Sequence, residues 1–258
     1  MEKVKQTLRD SKTARWIALA LISLTMFFAY FFIDVAAPLQ IMFQTDYGWS
    51  PEVFGMLGGS EFFLNVFAFF LILSGIILDK MGIRFTIITS GVTMVIGGSI
   101  KYFALSKGFV GSGIEQSLSS FLVNIPASAK LAFFGFAIFG VGVEMAGITV
   151  SKTIVKWFKG KELALAMGLE MAIARLGVFA VFRLSPIFAE NGGASNSVLW
   201  GVAFLIVGLL LFLIYTIMDV RLDRQLGEEA EIELEDAFRI SDLWLIVKNP
   251  GFLAIASL

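Results

Sequence analysis

The sequence predicts an all-α integral membrane protein, built as a bundle of six transmembrane helices. Three observations predict this fold class. Hydrophobic residues form 57% of the 258-residue chain and charged residues only 16%, against about 45–50% and about 25% in average soluble domains. Six long apolar stretches alternate with shorter, more polar segments. Lysine and arginine fall almost entirely on one side of the predicted bundle, as the positive-inside rule requires.

Each apolar stretch is close to the ~20 residues that cross a hydrocarbon core. The first follows a basic amino terminus, residues 1–15, but the 18 residues 16–33 carry no charge, which is longer than the apolar part of a signal peptide. At the second, Ser50, Pro51 and Glu52 supply a capping hydroxyl, a first-turn proline and an early acid. The six predicted spans are residues 16–42, 51–78, 84–105, 129–151, 162–188 and 198–218, within a bundle over 16–219.

The polar segments orient the bundle. The amino terminus, the turn between the second and third spans, the connection 152–161 and the tail together carry 15 Lys and Arg residues, against only Lys107 and Lys130 on the other side. Both ends of the chain are therefore predicted to be cytoplasmic. The Gly/Ser-rich segment 106–128 is then an external loop, with a short interfacial helix.

The tail changes in character after the sixth span. Six acidic residues lie within residues 228–236, a run that is typical of a solvated segment. Residues 220–249 are predicted to form an acidic cytoplasmic linker with a short amphipathic helix. Residues 250–258 resemble the start of a seventh helix that is cut off, so a carboxy-terminal half of six further helices is expected as the missing partner.

A motif in the turn between the second and third spans has the form G-x-x-x-D-x-x-G-x-R. It consists of Gly75, Asp79, Gly82 and Arg84, with an acid and a base at a helix end and glycines that would permit close contact. Here the chain resembles the major facilitator superfamily. The resemblance implies the amino-terminal half of a 12-helix fold, made of two inverted three-helix repeats, in which Asp79 and Arg84 join a charge network that locks the two halves outward-open. The alternative is an ordinary cytoplasmic hairpin.

Two charges are predicted to lie deep in the membrane, where ionisable groups are costly and usually functional. Counting from Lys152 places Glu144 about 12 Å deep, and counting from Lys161 places Arg175 about 21 Å deep, at ~1.5 Å per residue. An acid and a base offset by about 9 Å could bind the two ends of a zwitterion. The alternative is a simple ion pair between the fourth and fifth spans. Glu170 is also deep but is predicted on a different helix face.

The segments around these charges narrow the resemblance to one group of the superfamily. Residues 139–144 fit an F-G-x-G-x-E stretch, and residues 157–177 also look like the lysosomal dipeptide uniporter group. This implies dipeptide binding, with Arg175 taking the carboxylate and Glu144 the amino end. Many proton-coupled members carry an arginine where this chain has Phe136, so facilitated diffusion is expected at least as much as proton coupling.

A further set of charges, called here the outer group, consists of Asp34, Glu61 and Lys101. Residue counts place all three about 25–29 Å from the cytoplasmic end. Two acids and one base at similar depth predict an outer network or gate. The alternative is that the side chains extend independently to external water.

Together these features predict a transporter that moves a small solute, with dipeptides as the first choice, by alternating access in a lipid bilayer. The alternatives are a transporter of another organic anion drawn to Arg175 alone, and a non-transporting scaffold or receptor. The chain has neither Cys nor His, which excludes disulfides, thiol chemistry and histidine relays. No enzyme activity, metal, cofactor or nucleic-acid partner is expected. The expected location is a bacterial inner membrane, or a lysosomal membrane in a eukaryote.

Overall fold

The computed structural model describes residues 7–122, 124–227 and Lys248, and the regular structure of this part is entirely helical. The predicted acidic run, amphipathic helix and seventh-helix start lie outside the described residues. The helices are α1 (Lys12–Ile33), α2 (Gln40–Tyr47), α3 (Pro51–Phe67), α4 (Phe70–Leu105), α5 (Gly113–Ser119), α6 (Ala127–Phe158), α7 (Leu163–Ala189) and α8 (Gly193–Leu226), with a 3-10 turn at Ala37–Leu39.

Four candidate membrane spans are long and apolar enough to cross a bilayer: α1 with its continuation to Tyr47, α6, α7 and α8. The pair formed by α3 and α4 passes the same test together and is bent by 58°. The described residues therefore contain four candidate spans, or five if the bent pair is one span. The chain is an integral membrane protein.

The first two predicted spans are interrupted. The first divides because α1 ends at Ile33 and the 3-10 turn contains Pro38, whose missing N–H and fixed φ do not suit a continuous helix. The second is broken after Phe67, where Phe69 adopts a left-handed φ of 55°. Neither Gly nor Pro marks this break in the sequence, so it was not predictable from turn residues.

Gly82 departs from helical geometry inside α4, with φ 77° and ψ 172°. Few residues other than glycine adopt this φ without strain. It separates residues 70–81 from residues 83–105, close to the turn predicted between the second and third spans. The glycine of the motif is therefore required by its backbone conformation.

Two predicted helix ends are corrected by the structure. The connection 152–161 was expected to be polar and non-helical, but α6 continues to Phe158 because Trp157 and Phe158 are buried. The sixth predicted span, 198–218, extends over Gly193–Leu226 in α8. The short helix expected in the segment 106–128 is present as α5.

Glycines allow α6 to pack closely against α3 and α4. A Cβ on Gly135 would lie 2.6 Å from the backbone nitrogen of Lys101, and a Cβ on Gly97 would strike the backbone of Phe139. On the α3 side, a Cβ on Gly140 would strike the carbonyl of Glu61. Small residues of this kind let helix backbones approach in membranes. The glycine contacts therefore fix α6 between its two neighbours.

Hydroxyl groups connect α1 with α7 and α8. Thr25 Oγ1 donates a hydrogen bond to the Gly208 carbonyl at 3.0 Å, and Ser185 Oγ donates to the Val35 carbonyl at 2.6 Å. Both hydroxyls are buried. Such bonds satisfy polar groups that have no access to water. They join the two sides of the bundle around α1.

A glycine substitution tests the packing of α4 on α6. Gly97→Ala is expected to lower the unfolding temperature of the detergent-solubilised protein, because an overpacked core costs about 1–3 kcal/mol. Gly168→Ala in α7 is the matched control, since nothing lies within 4 Å of its Cβ position and alanine favours a helix by about 1 kcal/mol. An unfolding temperature for Gly97→Ala equal to or above the control's would contradict the close packing.

Candidate functional site

One end of the bundle carries a network of ion pairs, called here the charged end. Its centre is Asp219 in α8, which is 1% exposed. Lys156 Nζ lies 2.9 Å from Asp219 Oδ1, and Tyr215 and Trp157 donate hydrogen bonds to the same oxygen at 2.8 and 3.3 Å. Sequence reasoning ended the sixth span one residue before Asp219 and missed it. An acid four residues after a tyrosine at the end of an apolar run was the available signal.

The G-x-x-x-D-x-x-G-x-R motif lies at the charged end and bonds to other helices of this chain. Asp79 Oδ1 lies 2.8 Å from Lys152 Nζ. Arg84 lies 3.2 Å from Asp223 Oδ2, and 3.9 Å from Asp219 Oδ2. The motif thus ties α4 to both α6 and α8.

The first motif glycine does not have its expected role. Gly75 was expected to permit a close contact. In the described part of the chain, however, nothing lies within 4 Å of the position that its Cβ would take. No close contact explains the glycine at this position.

The amino terminus also folds onto the charged end. Lys161 Nζ donates to Asp10 Oδ1 at 2.8 Å, and Arg15 donates to Glu162 at 3.3 Å. The bond from Lys161 holds the pKa of the Asp10 carboxyl well below its usual range. The four basic regions used for orientation therefore contribute side chains to one end of the bundle.

A cavity of about 230 Å³ lies between α1, α6 and α7. Arg175 from α7 lines it, with its guanidinium carbon 5.2 Å from the centroid of the Tyr30 ring. This distance permits a cation–π interaction. The other lining residues are Met26, Gly147, Ser151, Glu170, Met171 and Ala174.

Glu144 lies beside this cavity, three residues before Gly147 on α6. The charges of Arg175, Glu144 and Glu170 all act on Tyr30, so the structure brings the predicted acid and base to one region. No ion pair joins Glu144 to Arg175 in the described residues, which disfavours the simple interhelical pair.

The depths of these two charges are corrected by the observed helix ends. Glu144 lies 14 residues before the end of α6 at Phe158, and Arg175 lies 12 residues after the start of α7 at Leu163. At ~1.5 Å per residue, these are about 21 and 18 Å. The predicted offset of about 9 Å was too large because α6 continues beyond Lys152.

The structure also corrects the expectation for Glu170. It lies five residues before Arg175 and was expected to face elsewhere, yet both side chains line the same cavity. A spacing of five residues separates two side chains by about 140° around a helix, but a cavity shared by three helices receives side chains from a wide arc of α7. Glu170 is therefore a site residue that sequence reasoning ranked too low.

The outer group is brought together away from the charged end. Lys101 is 0% and Glu61 4% exposed, while Asp34 is half-buried at the end of α1. The charges of Glu61 and Asp34 both act on Lys101. Lys101 Nζ lies 3.7 Å from the centroid of the Phe136 ring. In the described residues, no set of three or more acidic side chains is arranged to hold a metal ion.

Comparison with protein families finds a match to the Major Facilitator Superfamily over residues 19–258. Among curated proteins, the chain is 29% identical over 250 residues to the lysosomal dipeptide transporter MFSD1 of Homo sapiens and of Bos taurus, covering 90% of this chain and 49% of each relative. The chain thus spans about half the length of these curated relatives. It is also 26% identical over 159 residues to the "Probable anion transporter 2, chloroplastic" of Oryza sativa subsp. japonica, covering 61% of this chain and 25% of that protein.

The charged end makes a stability prediction. Asp219→Asn is expected to lower the free energy of unfolding by about 1–3 kcal/mol, because the buried donors around Asp219 lose a charged acceptor. Thermal unfolding in detergent measures the change. Asp46→Asn, which alters an exposed acid at the opposite end, is the control. Equal shifts in the two variants would show that the network does not stabilise the bundle.

Proposed function

Because the chain belongs to the major facilitator superfamily, whose members here are transporters and not enzymes, we propose that it moves dipeptides across a membrane. Arg175 would bind the substrate carboxylate and Glu144 its amino end. The observation that carries this proposal is the placement of an unpaired acid and an unpaired base at similar depth around Tyr30. A zwitterion bound between them would pair both charges.

The energetics favour a ligand over empty space. A charge inside a membrane protein is expensive unless it is paired or hydrated, and Glu144 and Arg175 are not within ion-pair distance of each other. The two ends of a dipeptide would supply the missing partners. The name of the MFSD1 relatives, which match 90% of this chain, agrees with this choice of substrate.

We further propose that the chain forms six membrane spans, because α4 reverses direction at Gly82. Before Gly82, Asp79 contacts Lys152 late in α6. After it, Gly97 packs near Phe139, and the backbone of Lys101 approaches Gly135. The contacts thus move along α6 towards its start as α4 proceeds. Residues 70–81 would then complete the span begun by α3, and residues 83–105 would form the next.

The complete transporter would consist of this half and a carboxy-terminal half of similar size. Its length relative to the curated relatives supports this arrangement. Transport would follow from rocking of the two halves around a midplane site. The charged end, with Asp79 and Arg84, would face the cytoplasm and take part in the lock between the halves, while Asp34, Glu61 and Lys101 would act at the outer side. Both chain ends would be cytoplasmic, in a bacterial inner membrane or a lysosomal membrane.

A second candidate is transport of an organic anion that binds to Arg175 alone. The rice relative named as an anion transporter favours this possibility. Arg175 lines the cavity directly, whereas Glu144 lies beside it. A dipeptide requires both charges, so the effect of Glu144 distinguishes the two substrates.

Neutralising either charge tests the substrate site. In the product of the full open reading frame, Arg175→Gln and Glu144→Gln are each expected to reduce dipeptide uptake into proteoliposomes by at least about tenfold, the loss expected when about 1.4 kcal/mol of binding disappears. Glu115→Gln, on α5, is the control. Gel filtration and thermal unfolding report whether each variant remains folded.

The pattern of losses separates the candidates. Loss in Arg175→Gln alone would indicate an anion. Normal dipeptide uptake in both variants would overturn the site assignment.

Single cysteines test the six-span topology, because the natural chain has none. Lys80→Cys and Arg224→Cys are expected to resist an impermeant maleimide applied to the outside of intact cells, whereas Ser120→Cys and Asn191→Cys are expected to react. All four positions are exposed. Labelling of Lys80→Cys together with Ser120→Cys would contradict the reversal at Gly82. Labelling in opened vesicles confirms that each cysteine is reactive.

A further inference from the structure

Glu61 and Lys101 form a buried acid and base that no ion pair within 4 Å connects in the described residues. Both side chains are at least 96% buried. Lys101 Nζ has no hydrogen-bond partner in this part of the chain, and the Phe136 and Phe32 rings lie 3.7 and 5.0 Å from it, measured to their centroids. Aromatic faces attract a cation but do not replace the hydrogen bonds that a buried charge requires.

Asn65 adds a second group whose bonding capacity is unused. It lies one turn after Glu61 on α3, and is therefore on the same helix face. Its side chain is 7% exposed, and neither Nδ2 nor Oδ1 has a hydrogen-bond partner in the described residues. Buried polar atoms in native proteins are nearly always paired. Unpaired atoms on three neighbouring side chains indicate a site that exchanges a small polar species.

The charges that face Glu61 come from three helices. Lys101 on α4 attracts its carboxylate, while Asp34 on α1 and Glu144 on α6 repel it. No charged group of α2, which also packs on α3, acts on Glu61 in the described residues. The repulsion from Glu144 is important because that residue is the proposed partner of the substrate amine.

We propose that Glu61 carries an exchangeable proton that is released when the substrate amine binds at Glu144. The inference rests on the proposed dipeptide function. Two like charges that face each other across a poorly hydrated interior cannot both ionise cheaply, so Glu61 holds a proton while Glu144 is unpaired. The substrate ammonium neutralises Glu144 and removes the repulsion, and Lys101 then balances the new Glu61 carboxylate.

The proton step balances without another reactant. The O–H bond of the Glu61 carboxylic acid breaks, its electron pair stays on the carboxylate, and the proton passes to water. Half-buried Asp34, whose charge acts on both Lys101 and Glu61, lies between these groups and the surface. Substrate and proton therefore compete for the same half of the transporter, which couples their movements as an exchange.

Calorimetry measures this competition directly. Glycylglycine is titrated into the purified product of the full open reading frame at about pH 6, where its α-amino group, with a pKa near 8, is already protonated. Two buffers with different ionisation enthalpies give the number of protons released. The wild-type protein is expected to release a measurable fraction of one proton for each dipeptide bound. Glu61→Gln is expected to bind glycylglycine and release none, while the control Glu115→Gln behaves as the wild type does.

A second variant covers the case in which Glu61→Gln does not fold. Lys101→Met removes the balancing charge but fits among phenylalanine rings, so Glu61 stays protonated and proton release is again lost. Binding with no release, or with proton uptake, in the wild-type protein would overturn the proton site and leave the dipeptide site standing. Unchanged release in either variant would do the same. The absence of any binding heat with glycylglycine would overturn both proposals.

Discussion

The close approach of α6 to α3 and α4 is the constraint on which the interior of this bundle depends. Gly135 and Gly140 face the backbones of Lys101 and Glu61, where a Cβ would not fit. With the backbones this close, the long Lys101 side chain is enclosed completely. Such enclosure removes the water that would otherwise solvate a charge. The charges of the outer group must then be balanced by one another.

The charged end and the interior solve this problem in different ways. At the charged end, Asp219 receives hydrogen bonds or ion pairs from α6, α8 and α4 within 4 Å, so its charge is satisfied in the structure as it stands. In the interior, Arg175 and Lys101 have aromatic rings as neighbours and no carboxylate at ion-pair distance in the described residues. Satisfied charges hold helices in place, whereas unsatisfied charges are available for a ligand or a proton. The contrast separates structural from functional ionisable groups.

The sequence was sufficient for the fold class and for the residues of the interior, but not for their relative positions. Apolar stretches and basic turns predicted the membrane helices, since these follow from composition along the chain. The depth of Glu144 was misjudged because the burial of Trp157 and Phe158, which extends α6, depends on other helices. The left-handed Phe69 has no local signal. Glu170 was undervalued because a helical wheel describes one helix, while the cavity is formed by three.

Phe136 illustrates why single positions are poor guides to the charge of a membrane interior. On sequence alone, a phenylalanine at this place in α6 suggested that the region lacks a cation. The structure brings the Lys101 ammonium from α4 onto the face of the same ring. A charge is defined by the space that it occupies, and a side chain about 6 Å long can enter that space from a neighbouring helix. Whether a proton takes part in transport therefore depends on the balance between Lys101, Glu61 and Glu144, and the residue at position 136 does not decide it.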